Sequence, residues 1–166
     1  MKTKQRHRQS ILDSAVRLFR QQGYAATGLN EILNVSGAPK GSLYYYFPGG
    51  KAEIGLAAVE FASDKVLATL SSLADEGIGA AEIVRRYFDM VGEWMHQSGY
   101  TDGSPITTIV LEMAAQDDKI RQAAAIAFGR WATVLEQATI KHGCEPSQAS
   151  KARKKTCLSQ RSHEMD

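Results

Sequence analysis

Residues 27–47 read TGLNEILNVSGAPKGSLYYYF. Leu29, Ile32 and Leu33 fall on one face at helical spacing and predict a short helix. Thr27, just before it, is a candidate cap for its free amides. Val35-Ser36-Gly37-Ala38 then reads as a turn, because glycine tolerates the backbone of a tight connection between helices. Pro39 suits the first turn of the next helix, where its missing N–H is not needed. Pro48-Gly49-Gly50 breaks the chain again. Two short helices joined by a tight turn make a helix-turn-helix by spacing alone.

The second of these helices is unusual in what it leaves outside. Leu43 and Phe47 are four apart and can both face a core. Lys40, Ser42, Tyr44, Tyr45 and Tyr46 cannot all be buried with them. A row of exposed tyrosines beside lysine suits a sugar-phosphate backbone, since each hydroxyl donates a hydrogen bond and each ring packs on sugar. Gly41 lets the backbone come close to a base edge. A helix of this kind laid in the major groove reads bases with its N-terminal residues.

On both sides of this stretch the pattern is helical. Ile11, Leu12, Ala15, Val16 and Phe19 form one stripe, stopped by Gly23. Stripes from Ile54 to Leu73, from Ile83 to Met95, from Ile106 to Ala114 behind Pro105, and from Ile120 to Ala138 follow. The last closes at Gly143. No segment alternates with the period of a strand. The fold expected is all-α: a three-helix head, then a linking helix into a helical body. The domains expected are 1–50, 51–146 and a basic, disordered tail over 147–166.

Charge is divided in the same way. Residues 1–51 hold eight Lys/Arg and two Asp/Glu, residues 52–150 seven and fourteen, and residues 151–166 five and two. A basic head on an acidic body points the head at a polyanion, although a solvated basic face has the same composition. The chain of 166 residues is 43% hydrophobic and 23% charged, with a mean hydropathy of −0.29. Those are globular values, with no apolar run of the length a membrane span needs. The basic start is followed by no signal-peptide stretch, so the expected location is cytoplasmic. Cys144 and Cys157 form no CxxC pair, and His7, His96, His142 and His163 show no metal-ligand spacing, so no metal and no cofactor is expected. Enzyme readings find no motif: there is no GxSxG, and Gly50-Lys51-Ala52 lacks the rest of a phosphate-binding loop.

The segment from Arg8 to about Leu56 resembles the DNA-binding domain of the TetR/AcrR family of bacterial transcriptional repressors. The features that carry the resemblance are Phe19 with Gly23-Tyr24, then Thr27, then Gly37-Ala38-Pro39-Lys40-Gly41-Ser42-Leu43-Tyr44-Tyr45-Tyr46-Phe47, then Lys51. Pro48-Gly49-Gly50-Lys51, Gly103-Ser104-Pro105-Ile106 and Phe128-Gly129-Arg130-Trp131 are similar to its LmrA/YxaF-like branch, whose members repress drug-efflux or oxidoreductase genes. The resemblance implies base contacts from Lys40 and Gly41. It implies phosphate contacts from Thr27, Ser42, Tyr44, Tyr45, Tyr46 and Lys51. The family often has histidine where this chain has Tyr46; a phenol still donates to phosphate. It further implies a double-stranded operator, a small, mostly apolar effector, and a homodimer.

Tyr87, Phe88, Trp94, Met113, Phe128 and Trp131 are the residues that could line an effector pocket, although aromatic stripes at helical spacing also make plain core. One departure stands out. Beyond about Ala149 the family continues into long apolar helices, whereas this chain reads KARKKTCLSQRSHEMD, as if truncated or read in another frame. The rival expectation is therefore a helical ligand-binding or interaction module whose DNA binding is impaired because the dimer helices are missing.

Overall fold

Gly23 ends the first helix with a φ of 90°, a backbone conformation that side chains with a Cβ rarely adopt. The computed structural model describes residues 2–142. Seven helices follow in order: α1 Lys2–Gln22, α2 Leu29–Ser36, α3 Lys40–Tyr46, α4 Gly50–Asp75, α5 Ala80–Gln97, α6 Pro105–Met113 and α7 Asp118–Lys141. No strand occurs among the described residues, and the all-α expectation holds. None of these helices is long and apolar enough to cross a membrane. Gly143, Cys144 and the tail expected over 147–166 lie outside the described residues.

The helices are shared between two compact units. As far as they are described, one comprises residues 2–65 with Gly92–Ala127 and the other Val66–Val91 with residues 128–142. In the first unit α1 packs against α2, α3 and α6. Ile11 and Phe19 of α1, Ile32 of α2, Leu43 of α3, Ile54 of α4 and Ile109 of α6 are fully buried. Each such side chain contributes about 1.5–3 kcal/mol through removal from water. In the second unit Leu70, Leu73, Ile83 and Ala138 form the core, with Tyr87, Trp131 and Leu135 packed against it.

Helix ends follow local chemistry. Gly37 sits in the left-handed region and donates its N–H to the Leu33 carbonyl, closing α2. Ser104 caps α6 through its Oγ, and Pro105 opens it, as its place ahead of the stripe from Ile106 indicates. The cap expected from Thr27 is not formed. Gly28 is the N-cap of α2 with no side-chain bond, and the Thr27 hydroxyl turns back to donate to the Gly23 carbonyl at 2.7 Å. Thr27 lies one residue too early, and the turn behind it supplies a closer acceptor.

Candidate nucleic-acid interface

α3 is only seven residues long, and its orientation is fixed by two anchors. Leu43 and Phe47 are 0% and 1% exposed, and Arg8 of α1 lies over the Phe47 ring, 5.4 Å from its centroid. With that face pinned, the opposite face has to be outside. Lys40 and Gly41 are exposed at its start. A Cβ added at Gly41 would meet nothing within 4 Å, so a ligand backbone or base edge can approach there. Tyr44 and Tyr45 are 51% and 68% exposed. Tyr46 is half-buried, and its ring meets that of Tyr45 edge-on at 4.8 Å, which steadies both. Ser42 is half-buried, with its Oγ 3.4 Å from Nδ1 of His7 on α1. The Ser10 hydroxyl donates to the Ser36 carbonyl at 2.7 Å, so α1 also holds the turn of the helix-turn-helix.

Lys51 lies in the first turn of α4. Its Nζ donates to the Ala25 carbonyl at 3.1 Å and stands 4.5 Å from the centre of the Tyr24 ring. An ammonium has three donors, so two remain for a phosphate. Burial pushes the Lys51 pKa down, and the charge of Glu112 opposes that shift. Of the amides at the start of α4, that of Gly49 is already taken, donating to Glu53 Oε2 at 2.7 Å. Thr27 is placed differently from its companions. It is 1% exposed, and its hydroxyl is engaged with Gly23 and with Gln22. Lys40, Gly41, Tyr44 and Tyr45 thus share the exposed side of α3, Ser42 and Tyr46 are half-buried on the same helix, Lys51 stands against the Tyr24–Ala25 turn, and Thr27 is buried.

Two carboxylates that no sequence motif marks hold this head. Glu112 of α6 accepts the Tyr24 N–H at 3.1 Å and the Ala25 N–H at 2.6 Å. Asp102 pairs with Arg20 at the end of α1, and the Gly103 N–H donates to the Arg20 carbonyl at 3.0 Å. The Tyr24 and Ala25 amides lie past the end of α1 and outside any helix, so they need partners from elsewhere. Which acid reaches them, 87 and 88 residues away, is set by tertiary packing. The Tyr24 phenol is pushed up by burial, then by Asp117 and Glu112.

The six aromatic and methionine candidates are divided between the two units. Tyr87 and Trp131 pack on the core of the second unit. Phe128 meets Trp131 edge-on at 5.0 Å and Phe88 meets Tyr87 at 5.8 Å, both on the exposed side. Trp94 and Met113 belong to the first unit. A cavity of about 340 Å³ opens in the second unit between Ser71, Ala74, Ile78, Val134, Ala138 and His142, and none of the six candidates lines it. Arg85 and Arg86 are engaged with Glu82, Asp89 and Glu76 along the α5 surface. His96 meets the Tyr100 ring edge-on at 6.1 Å.

Residues 11–58 match the family described as bacterial regulatory proteins, tetR family. Residues 80–155 match the C-terminal domain of transcriptional regulators of the LmrA/YxaF-like kind. The chain is 34% identical over 145 residues to the HTH-type transcriptional regulator LmrA of Bacillus subtilis, covering 87% of this chain and 77% of that protein. It is 32% identical over 143 residues to the uncharacterized HTH-type transcriptional regulator YxaF of the same organism, covering 86% and 75%. Among solved structures, the crystal structure of the regulatory protein TetR from Rhodobacter sphaeroides superposes with a TM-score of 0.71 at 27% identity, covering 81% of this chain and 71% of that one.

Proposed function

The chain belongs to the TetR family of bacterial transcriptional regulators, in its LmrA/YxaF-like branch, and from that premise we propose that it is a repressor, released from its operator by a small, mostly apolar effector. Residues 1–50 are the DNA-binding head, and residues 51–146 receive the effector. The observation that carries the reading is the exposed face of α3: Lys40, Gly41, Tyr44 and Tyr45 outside, Leu43 and Phe47 locked inside. Lys40 and Gly41 meet base edges, while Ser42, Tyr44, Tyr45, Tyr46 and Lys51 hold phosphates. Thr27 holds the turn before α2 through Gly23, and any phosphate contact it makes requires the hydroxyl to leave that bond. The protein acts in the cytoplasm as a homodimer, because two heads about one DNA turn apart read a near-palindrome.

In the effector-receiving part, Tyr87 and Trp131 are the first residues to test, since they share one cluster. Operator binding is tested by fluorescence anisotropy with duplexes from upstream of the protein's own gene, together with light scattering at several concentrations. Salt-dependent, sequence-selective binding by a dimer supports the reading. A chain that binds no duplex better than a random one refutes it.

A further inference from the structure

We infer that Glu112 is a positioning residue for DNA binding: its carboxylate, clamped on the Tyr24 and Ala25 amides, fixes the turn that holds the Lys51 ammonium toward phosphate. This rests on the operator-binding reading above and assigns it a residue outside the helix-turn-helix.

The turn from Gly23 to Thr27 bonds both to itself and to its neighbours. The Thr27 N–H donates to the Tyr24 carbonyl at 3.2 Å, and its hydroxyl donates to the Gly23 carbonyl at 2.7 Å. Lys51 takes its bearings from the same turn, through the Ala25 carbonyl at 3.1 Å and the Tyr24 ring at 4.5 Å. The Tyr24 ring in turn lies against Phe19, at 5.2 Å between centroids. It also lies so near Gly55 that a Cβ there would come within 2.7 Å of it. What holds the backbone of the turn from the other side is Glu112. Each of its oxygens takes one amide, Oε1 from Tyr24 and Oε2 from Ala25. Successive N–H groups after a left-handed residue form an anion-binding concavity, and here a side chain of the same molecule fills it. The fit is tight: a Cβ at Gly23 would stand 2.9 Å from Glu112 Oε1. Glu112 and Lys51 thus approach the same short turn from two sides, the acid on its amides and the base on its carbonyl.

A carboxylate is needed because two acceptors are needed. In Glu112→Gln one acceptor remains, and the amide NH2 faces the second N–H. One of the two amides is left without its partner, the turn loosens, and Lys51 is no longer held in a fixed position. The expected outcome is about tenfold weaker operator binding, with the slope of log affinity against log salt reduced by about one unit, the change that follows when one phosphate is no longer neutralised. Lys51→Ala reduces the slope equally, and the double variant binds no more weakly than the weaker of the two, because both act on the same phosphate. Gly23→Ala disturbs the clamp from the opposite side and gives the same slope.

The experiment is anisotropy titration with the operator duplex at several salt concentrations for the parent chain and these variants. Hydrogen exchange of the Ala25 amide in the free protein accompanies it. A faster-exchanging Ala25 amide with the reduced slope supports the proposal. A parent-like slope in Glu112→Gln overturns it, as does full additivity with Lys51→Ala, since a merely structural role lowers stability and leaves the Lys51 phosphate in place. If the parent chain itself shows no salt-dependent duplex binding, the operator-binding reading falls and the proposal with it, an outcome seen before any substitution is made.

Discussion

α3 and α5 teach opposite lessons about what an amphipathic pattern means. α3 has seven residues, too few for any strong periodic signal, yet two side chains pin it completely. α5 has eighteen residues with a clear apolar stripe, yet Ile83 is its one buried residue, and Phe88, Trp94 and Met95 are exposed. In α3 the exposed aromatics are tyrosines beside lysine, so each carries a hydroxyl that water or phosphate can satisfy. In α5 the aromatics Phe88 and Trp94 are each left exposed by the described residues. A short helix whose anchors are certain tells more about function than a long one whose stripe is strong.

The comparison breaks most sharply under truncation of large side chains. Phe47→Ala removes a ring that is 1% exposed, and should destabilise the head by about 3–5 kcal/mol and abolish duplex binding with it. Phe88→Ala removes a ring that is 65% exposed, and should shift stability by no more than about 0.5 kcal/mol. Thermal melting followed by circular dichroism checks both. Equal destabilisation at the two positions would mean that Phe88 is covered in solution.

Within α3 the difference between anchors and readers can be sharpened. Lys40→Ala should cost about 1–3 kcal/mol of operator affinity and relax selectivity at one base position. Tyr45→Phe should weaken binding to all duplexes alike, since it removes a phosphate donor and no base contact. Anisotropy against a panel of single-base operator variants separates the two. If Lys40→Ala leaves both affinity and preference unchanged, α3 is not the reading helix.

On α5 and α7 the corresponding test uses Trp94 and Trp131. An apolar effector that releases the operator must itself be weakened by operator DNA by the same factor, typically about 5–150-fold. Tryptophan fluorescence and melting temperature, read across a panel of apolar compounds with and without duplex, measure both sides of the coupling. Compounds that change neither count against a pocket in this chain.

Why one region was legible and the other was not has a physical cause. Gly23, Gly37 and Pro105 act on the backbone within a few residues, so the order of helices could be written down from them. Leu43 and Phe47 were readable for the same reason, being one helical turn apart. Thr27 misled because its hydroxyl finds a local acceptor in the Gly23 carbonyl, while the N-cap of α2 falls one residue later, at Gly28. Glu112 and Asp102 were invisible because their partners lie more than eighty residues away, where no spacing rule reaches. The six aromatic and methionine positions fall in both units, because a helical stripe states only that a face is apolar, not which neighbour covers it.

The smallest effect contrasts two carboxylates that do similar work in different surroundings. Glu112 holds backbone amides inside the head; Glu82 holds Arg85 and Arg86 on the open surface of α5. Hydrogen bonds from Arg85, then from Arg86, bring the Glu82 pKa down from 4.5 to about 2. The unfolded chain therefore takes up this proton at a higher pH than the folded one. The stabilisation is fully present above 4.5 and fades as pH falls through about 2. Because the group is fully exposed, solvent and salt screen it, so its share of the acid transition is small and shrinks with ionic strength. A carboxyl-selective NMR titration at low salt should find Glu82 still ionised at pH 3.5, about one unit below 4.5. A midpoint at the ordinary glutamate value would mean that the arginine ladder does not persist in solution. Glu82→Gln should leave operator affinity and its salt slope at parent values, because Glu82 is engaged with Arg85 and Arg86 of its own helix. The two glutamates then separate cleanly: one titrates low and leaves DNA binding alone, and the other sets where a lysine points.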